Sequence, residues 1–191
     1  MNADIRNYLV GYNFTSAFLW LFIGIAVWFQ ETMLQWNLLY MLLIIQSFAF
    51  LDMLHALKKW VKTNPVQSLI QTSARIIIIL LMICIGERNI KFSPIKITTT
   101  IWMIAEVVRY AYYGFNLLKK INVFQFLRYH LFIVLYPAGV LLEFIIGYQF
   151  LKTQHFKWNF ITILVGLFFL SYIYFFPILY KHMLKQRKRL Y

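Results

Sequence analysis

The chain has 191 residues, 62% of them hydrophobic and 20% aromatic, with 13% charged and a formal net charge of +13. A soluble domain carries about a quarter of its residues as charges, so this composition excludes an ordinary water-soluble fold and points to a lipid environment. The basic residues fall mostly between apolar runs, which argues for positive-inside topology and anionic lipid as partner, and against nucleic acid. Cys84 is the single cysteine, so no internal disulfide forms, and no His/Cys spacing suggests zinc; no metal or cofactor is expected.

A helix rises about 1.5 Å per residue, so roughly 20 residues cross a hydrocarbon core of about 30 Å. Six runs meet that length, at about 8–29, 38–57, 66–85, 97–118, 124–150 and 158–180, followed by a basic tail at 181–191. They predict an all-α, multi-pass bundle of six transmembrane helices in a single integral membrane domain, 1–191. The first run is too long for a signal-peptide core and shows no A-x-A cleavage pattern, so it is expected to be a retained span. Asn64-Pro65 and Ser93-Pro94 mark helix boundaries, because a residue before proline avoids the helical region. The fifth run is overlong with Pro137 and Gly139 at its centre, which predicts a kinked or tilted helix. Trp36, Trp60, Trp158 and Tyr180 stand where interface anchors are expected.

Basic residues set the orientation. Arg6, Lys58, Lys59, Lys62, Lys119, Lys120, Lys181, Lys185, Arg187, Lys188 and Arg189 make eleven on one side, against Arg88, Lys91, Lys96, Lys152 and Lys157, five on the other. Both termini are therefore expected on the cytosolic face.

Ionisable residues inside apolar spans cost a few kcal/mol on insertion scales, so they face the bundle interior and often mark function. Glu106, Arg109, Tyr110 and Tyr113 are spaced three, four and seven residues apart, one stripe of the fourth helix. Gln71 and Arg75 share a face of the third. Tyr129, Tyr136 and Glu143 form a seven-residue series on the fifth, successive members about 10 Å apart along the axis. Counted from the expected cytosolic ends, Arg75 and Arg109 lie roughly 14 Å deep, Glu106 and Tyr136 about 18 Å, and Glu143 about 28 Å. Asp52 and His55 lie close to the mouth. The expected shape is a pocket open to the cytosol, polar at middle depth and apolar beneath.

Each residue also has a purely structural reading. Glu106 with Arg109 is an ion pair that holds helices together, Arg75 pairs with Asp52 or Glu106, and Asp52 and His55 are interfacial caps or solvated residues. Glu143 resists such a reading, since no basic residue on its own helix lies within a turn or two.

The catalytic templates narrow the chemistry. A cysteine phosphatase needs Cys-x5-Arg, yet six residues after Cys84 stands Ile90. The G-x-S-x-G, H-E-x-x-H, G-x-x-x-x-G-K-[ST] and G-x-G-x-x-G patterns are absent from the sequence. What remains is a Tyr and a Glu in an apolar cleft, suited to acid-base chemistry on a lipidic substrate and in particular to β-elimination of water.

The stretches YLVGYN, LDMLHAL, NPVQSLIQTSAR, WMIAEVVRYAYY and LRYHLFIVLYPAGVLLE together resemble the 3-hydroxyacyl-CoA dehydratase family, long labelled protein-tyrosine-phosphatase-like, over about residues 8–180. The most specific pieces are E-x-x-R-Y-x-Y-Y and R-Y-x(6)-Y-P-x-G-x(3)-E. The resemblance implies a multi-pass endoplasmic reticulum protein that converts (3R)-3-hydroxyacyl-CoA to trans-2-enoyl-CoA, the third step of very-long-chain fatty acid elongation, without a cofactor. It implies Tyr136 and Glu143 as the catalytic pair and places Arg75 on a family arginine that supports the site; Glu106, Arg109, Tyr110 and Tyr129, from the stripes above, are expected to support it as well.

On this reading Lys58, Lys59, Lys62, Lys119, Lys120 and Arg128 attract CoA phosphates at the mouth, and an elongase and an enoyl reductase are the expected protein partners. Three features depart from the family pattern. The second-span acid is Asp52 rather than Glu, a small Gly-containing turn is replaced by Lys58, Lys59 and Trp60, and the cysteine behind the phosphatase label is missing. The end Lys188-Arg189-Leu190-Tyr191 is only loosely like a dibasic retrieval signal. A catalytically inactive scaffold or lipid-binding subunit of an elongation complex is the alternative, and a proton-coupled carrier a third class.

Overall fold

The computed structural model describes residues 2–29, 35–86, 93–120, 123–155, 157 and 159–188. Arg88, Lys91, Trp158 and Arg189 lie outside the described residues, as do the side chains of Trp36 and Lys188. The described residues form seven helical segments, α1 (Ala3–Ala26), α2 (Gln35–Ser47), α3 (Phe50–Leu57), α4 (Pro65–Gly86), α5 (Ser93–Leu117), α6 (Val123–Thr153) and α7 (Phe160–Lys188), with no strand among them.

Among the described residues five runs are long and apolar enough to cross a membrane: Ala3–Ala26, Asn37–Leu57, Pro65–Ile85, Val123–Thr153 and Phe160–Lys185. The helix outside that set is α5, which matches them in length but carries Lys96, Glu106, Arg109 and a run of hydroxyl residues. Its polarity is directed inward, so the expected six-helix bundle stands with α5 as its polar member. The run Asn37–Leu57 holds α2 and α3, separated by a turn at Phe48 and Ala49. Ser47 explains the break: its hydroxyl donates to the Leu43 carbonyl at 2.7 Å, a back-bond that bends helices. Pro137 does not interrupt α6, which runs unbroken through it.

Local chemistry fixes the ends. Pro65 opens α4, where a missing N–H costs nothing, and the Asn64 side chain accepts from Val66 N at 3.0 Å. Asn159 caps α7 by accepting from Thr162 N at 2.8 Å. At the other termini Lys59, Lys119 and His155 take positive φ of 56°, 55° and 51° without being glycine. Trp60 N donates to His55 O at 3.0 Å and Lys120 N to Phe115 O at 3.2 Å, closing α3 and α5 with the six-to-one bond of a Schellman motif.

Cross-helix contacts fix the topology. Phe14 meets Phe115 at a centroid distance of 5.2 Å while Trp28 donates to Thr100 at 2.8 Å, so α1 and α5 are antiparallel. Phe115 stacks on Phe124 at 5.5 Å near one end of α6, and Trp102 reaches Glu143 nearer the other. Tyr136 lies against Tyr180 of α7 at 6.1 Å. The start of α1, the α3–α4 and α5–α6 connections and the end of α7 therefore share one end of the bundle, and it carries Arg6, Lys58, Lys59, Lys62, Lys119, Lys120, Lys181 and Lys185.

The other half is a dry core. Trp20, Ile23, Leu42, Ile78, Ile79, Met82, Ile85, Ile95 and Ile146 are each at most 1% exposed and pack in one cluster. Outward faces are greasy instead of charged; on α7 alone Ile163, Leu167, Leu170, Ile173 and Tyr174 are exposed. An apolar outer surface belongs against lipid.

Candidate active site

Between the basic end and the dry core runs a ladder of polar side chains. At its outer rung Tyr8 bonds His55 Nε2 at 3.1 Å, and the His55 ring stacks on Trp60, over which Lys58 sits at 4.7 Å. One turn inward on α3, Asp52 accepts from Tyr12 at 2.8 Å and Tyr110 at 3.0 Å and pairs with Arg109 at 3.1 Å. Asp52 and His55 are thus bonded members of the interior, His55 being only 4% exposed, and not the solvated caps expected. Tyr8 and Tyr12, one turn apart on α1, meet one turn of α3, and this explains the need for both polar groups there.

The next rung is Glu106, 4% exposed, which takes Arg109 on one oxygen at 2.6 Å and Arg75 on the other. Two carboxylates and two guanidinium groups close into a network that is neutral overall and ties α3, α4 and α5 together, with Tyr12 adding α1. Both structural readings offered for Glu106 are realised, the pair with Arg109 and the pair with Arg75. Arg75 also lies over the Trp102 ring at 5.4 Å.

Glu143 is the innermost rung and differs in kind. It is 7% exposed and, among the described residues, forms no ion pair. Trp102 Nε1 donates to its Oε1 at 3.1 Å and the Tyr172 hydroxyl to its Oε2 at 2.8 Å. Tyr136 stands two turns along the same helix, its ring stacked on Phe176 at 5.2 Å and Tyr180 at 6.1 Å. Its hydroxyl has no hydrogen-bond partner among the described residues, and it lies within electrostatic reach of both Glu143 and Arg75.

Arg128 and Tyr129 are not brought to this pair. The Arg128 guanidinium lies over Tyr113 at 4.5 Å, Tyr112 at 4.9 Å and Tyr129 at 5.7 Å, two turns nearer the basic end than Tyr136. Lys58, Lys59, Lys62, Lys119 and Lys120 are exposed in the two connections at that end, where the mouth lysines are expected. Among the described residues no group of three or more His, Cys, Asp or Glu side chains is placed to hold a metal ion.

Sequence reasoning missed Trp102 and Tyr172 as site residues. Trp102 had a signal, since it precedes Glu106 by four and so extends the same stripe. Tyr172 had a weaker one: with Phe176 and Tyr180 it makes an aromatic row at helical spacing, which normally means core or lipid face.

The description "Protein tyrosine phosphatase-like protein, PTPLA" matches residues 46–191. The chain is 31% identical over 199 aligned residues to a Schizosaccharomyces pombe protein named probable very-long-chain (3R)-3-hydroxyacyl-CoA dehydratase, covering 96% of this chain and 92% of that one. Against the Caenorhabditis elegans very-long-chain (3R)-3-hydroxyacyl-CoA dehydratase hpo-8 the identity is 30% over 98% of this chain and 95% of the relative. Against the dog very-long-chain (3R)-3-hydroxyacyl-CoA dehydratase 1 it is 33%, over 75% of this chain and 64% of the relative. No solved structure matches. With a family match over 146 of 191 residues (46 to 191) and full-length relatives at 30% and 31% identity, this chain belongs to the protein tyrosine phosphatase-like, PTPLA, family.

Proposed function

We propose that the chain dehydrates (3R)-3-hydroxyacyl-CoA to trans-2-enoyl-CoA, the third step of very-long-chain fatty acid elongation, with Tyr136 and Glu143 as the acid-base pair. The asymmetry between those two groups carries the proposal. Glu143 accepts two neutral hydrogen bonds with no paired cation, whereas the Tyr136 hydroxyl has no partner among the described residues. A carboxylate so held is an acceptor, and an unengaged phenol is a donor. Relatives that share nearly the whole chain bear the name of this activity, which supports the substrate class.

In this mechanism Glu143 removes a proton from C2, beside the thioester carbonyl. The electron pair forms the C2–C3 double bond as the C3–O bond breaks. Tyr136 gives its proton to the departing hydroxyl, which leaves as water, and the proton on Glu143 then returns to Tyr136 to reset the pair. Nothing is oxidised or reduced overall. The acyl chain lies toward the apolar half of the bundle while Lys58, Lys59, Lys62, Lys119 and Lys120 draw the CoA phosphates, with Arg128 on its tyrosine rings further in. The basic end faces the cytosol of the endoplasmic reticulum membrane, where an elongase supplies the substrate's precursor and an enoyl reductase consumes the product.

Purified Tyr136→Phe and Glu143→Gln variants, assayed separately on 3-hydroxyacyl-CoA, test the pair. Each is expected to lose at least about a hundredfold in kcat, the usual worth of a positioned acid or base. Near-normal turnover by either variant ends the assignment.

A further inference from the structure

We infer that Trp102 of α5 and Tyr172 of α7 are positioning residues that hold the Glu143 carboxylate in its proton-abstracting orientation; the inference rests on the pair proposed above. A glutamate side chain turns about three bonds, and burial of its anion without a cation is costly unless hydrogen bonds replace the lost water. Here one neutral donor is aimed at each oxygen, Trp102 at Oε1 and Tyr172 at Oε2, from helices on two sides of α6. An ionised carboxylate has about four lone-pair sites, so each oxygen keeps one for a substrate proton. The two bonds fix the carboxylate plane and leave it basic.

Both donors are themselves held. The Tyr172 ring packs against Phe168 at 5.2 Å, Phe169 at 5.8 Å and Phe144 at 5.9 Å. Trp102 is 2% exposed, and Arg75 covers its ring while bonded to Glu106. The ionic network therefore reaches the reacting carboxylate through the indole, with Arg75 within electrostatic reach of Glu143 but paired to Glu106 instead. Among the described residues the titratable groups facing Glu143 are Tyr172 from α7, Arg75 from α4 and Tyr136 from α6.

The test compares Tyr172→Phe and Trp102→Phe with Tyr174→Phe, a lipid-facing neighbour on α7, using ordinary substrate and substrate deuterated at C2. Loss of one hydrogen bond to a charged group predicts a fall of about tenfold or more in kcat for each of the first two, with KM within about twofold and Tyr174→Phe unchanged. The deuterium isotope effect on kcat rises in both, because breaking the C2–H bond becomes more fully rate-limiting. A variant that only lowers the folded fraction loses Vmax and keeps the parent isotope effect. Retained kcat, or lost activity with an unaltered isotope effect, in either variant overturns the inference. The two donors are on different helices, so one that fails to fold leaves the other to decide. Glu143→Gln runs in parallel: if it stays active the acid-base pair itself fails, whereas an inactive Glu143→Gln beside a fully active Tyr172→Phe sinks only the positioning role.

Discussion

The two buried polar clusters of this bundle spend their hydrogen-bonding capacity differently. Around Glu106 and Asp52 every charge is answered by an opposite one, and the network stitches together helices that come from the first two-thirds of the chain. Around Glu143 the answering groups are an indole and a phenol, both neutral, and the nearby Tyr136 hydroxyl is answered by none of the described residues. Bracing and chemistry make opposite demands. A brace wants its charges neutralised, while a base needs an acceptor whose proton affinity has not been cancelled by a bound cation.

That contrast is broken most sharply by substituting the two buried glutamates in turn. Glu143→Gln is expected to abolish turnover by at least about a hundredfold yet leave the melting temperature within a few degrees, since an amide still accepts hydrogen bonds on its oxygen. Glu106→Ala leaves the half-buried Arg75 and Arg109 with one anion between them. Removing one partner of a buried pair costs about 3–5 kcal/mol, a large share of the roughly 5–15 kcal/mol that holds a typical domain together. Thermal unfolding in detergent separates the cases: a stable, inactive Glu143→Gln beside an unstable Glu106→Ala supports the division, and equal melting temperatures would dissolve it.

Next in size is the α6–α7 contact. A Cβ built on Gly147 would run into the Phe169 ring, a rigid group that itself packs on Tyr172. Gly147→Ala is expected to cost about 1–3 kcal/mol and to displace α7, taking the Tyr172 hydroxyl away from Glu143. Activity should fall more than the loss of folded protein explains. A proportional fall would show that α7 is only a wall.

How much of this was legible beforehand follows from where each signal resides. The helices showed in runs of apolar residues, and the inward stripe of α5 in the spacing of Glu106, Arg109 and Tyr110, because both are periodicities along one chain segment. Pairing between segments was visible only by charge. Arg75 has two candidate acids in the sequence, Asp52 and Glu106, and pairs with Glu106, whereas the sequence leaves Asp52 otherwise an interfacial cap or a solvated residue, because nothing in its own helix announces Tyr12 across the bundle. Neutral partners left the least trace. Tyr172 differs from its lipid-facing neighbours Tyr174 and Ile173 only by the direction in which α7 turns it, and that direction is a property of packing, not of residue type.

Charge at the mouth is expected to matter less than either cluster. Replacing Lys58, Lys62 and Lys119 together by Gln should raise KM several-fold at low salt and leave kcat unchanged. The effect should fade by about 1 M salt, where the screening length falls to about 3 Å. A salt-independent KM would remove these lysines from substrate capture.

The smallest expected effect concerns Lys59, where backbone and charge can be separated. This residue follows α3 in a left-handed conformation, φ 56°, that glycine adopts without strain and a side chain with a Cβ does not. The left-handed conformation costs an ordinary residue roughly 1–2 kcal/mol, and glycine gives part of that back through the greater freedom of its unfolded chain. Lys59→Gly should therefore be neutral or stabilising by up to about 1 kcal/mol in thermal unfolding. It also deletes one exposed cation at the basic end, so KM for the CoA thioester should rise slightly even as stability improves. Lys59→Gln deletes the same charge and keeps the strain, and should raise KM equally with no gain in stability. If the two variants melt together, the turn is not strained; if their KM values part, the Lys59 position acts on substrate through the shape of the mouth instead of its charge.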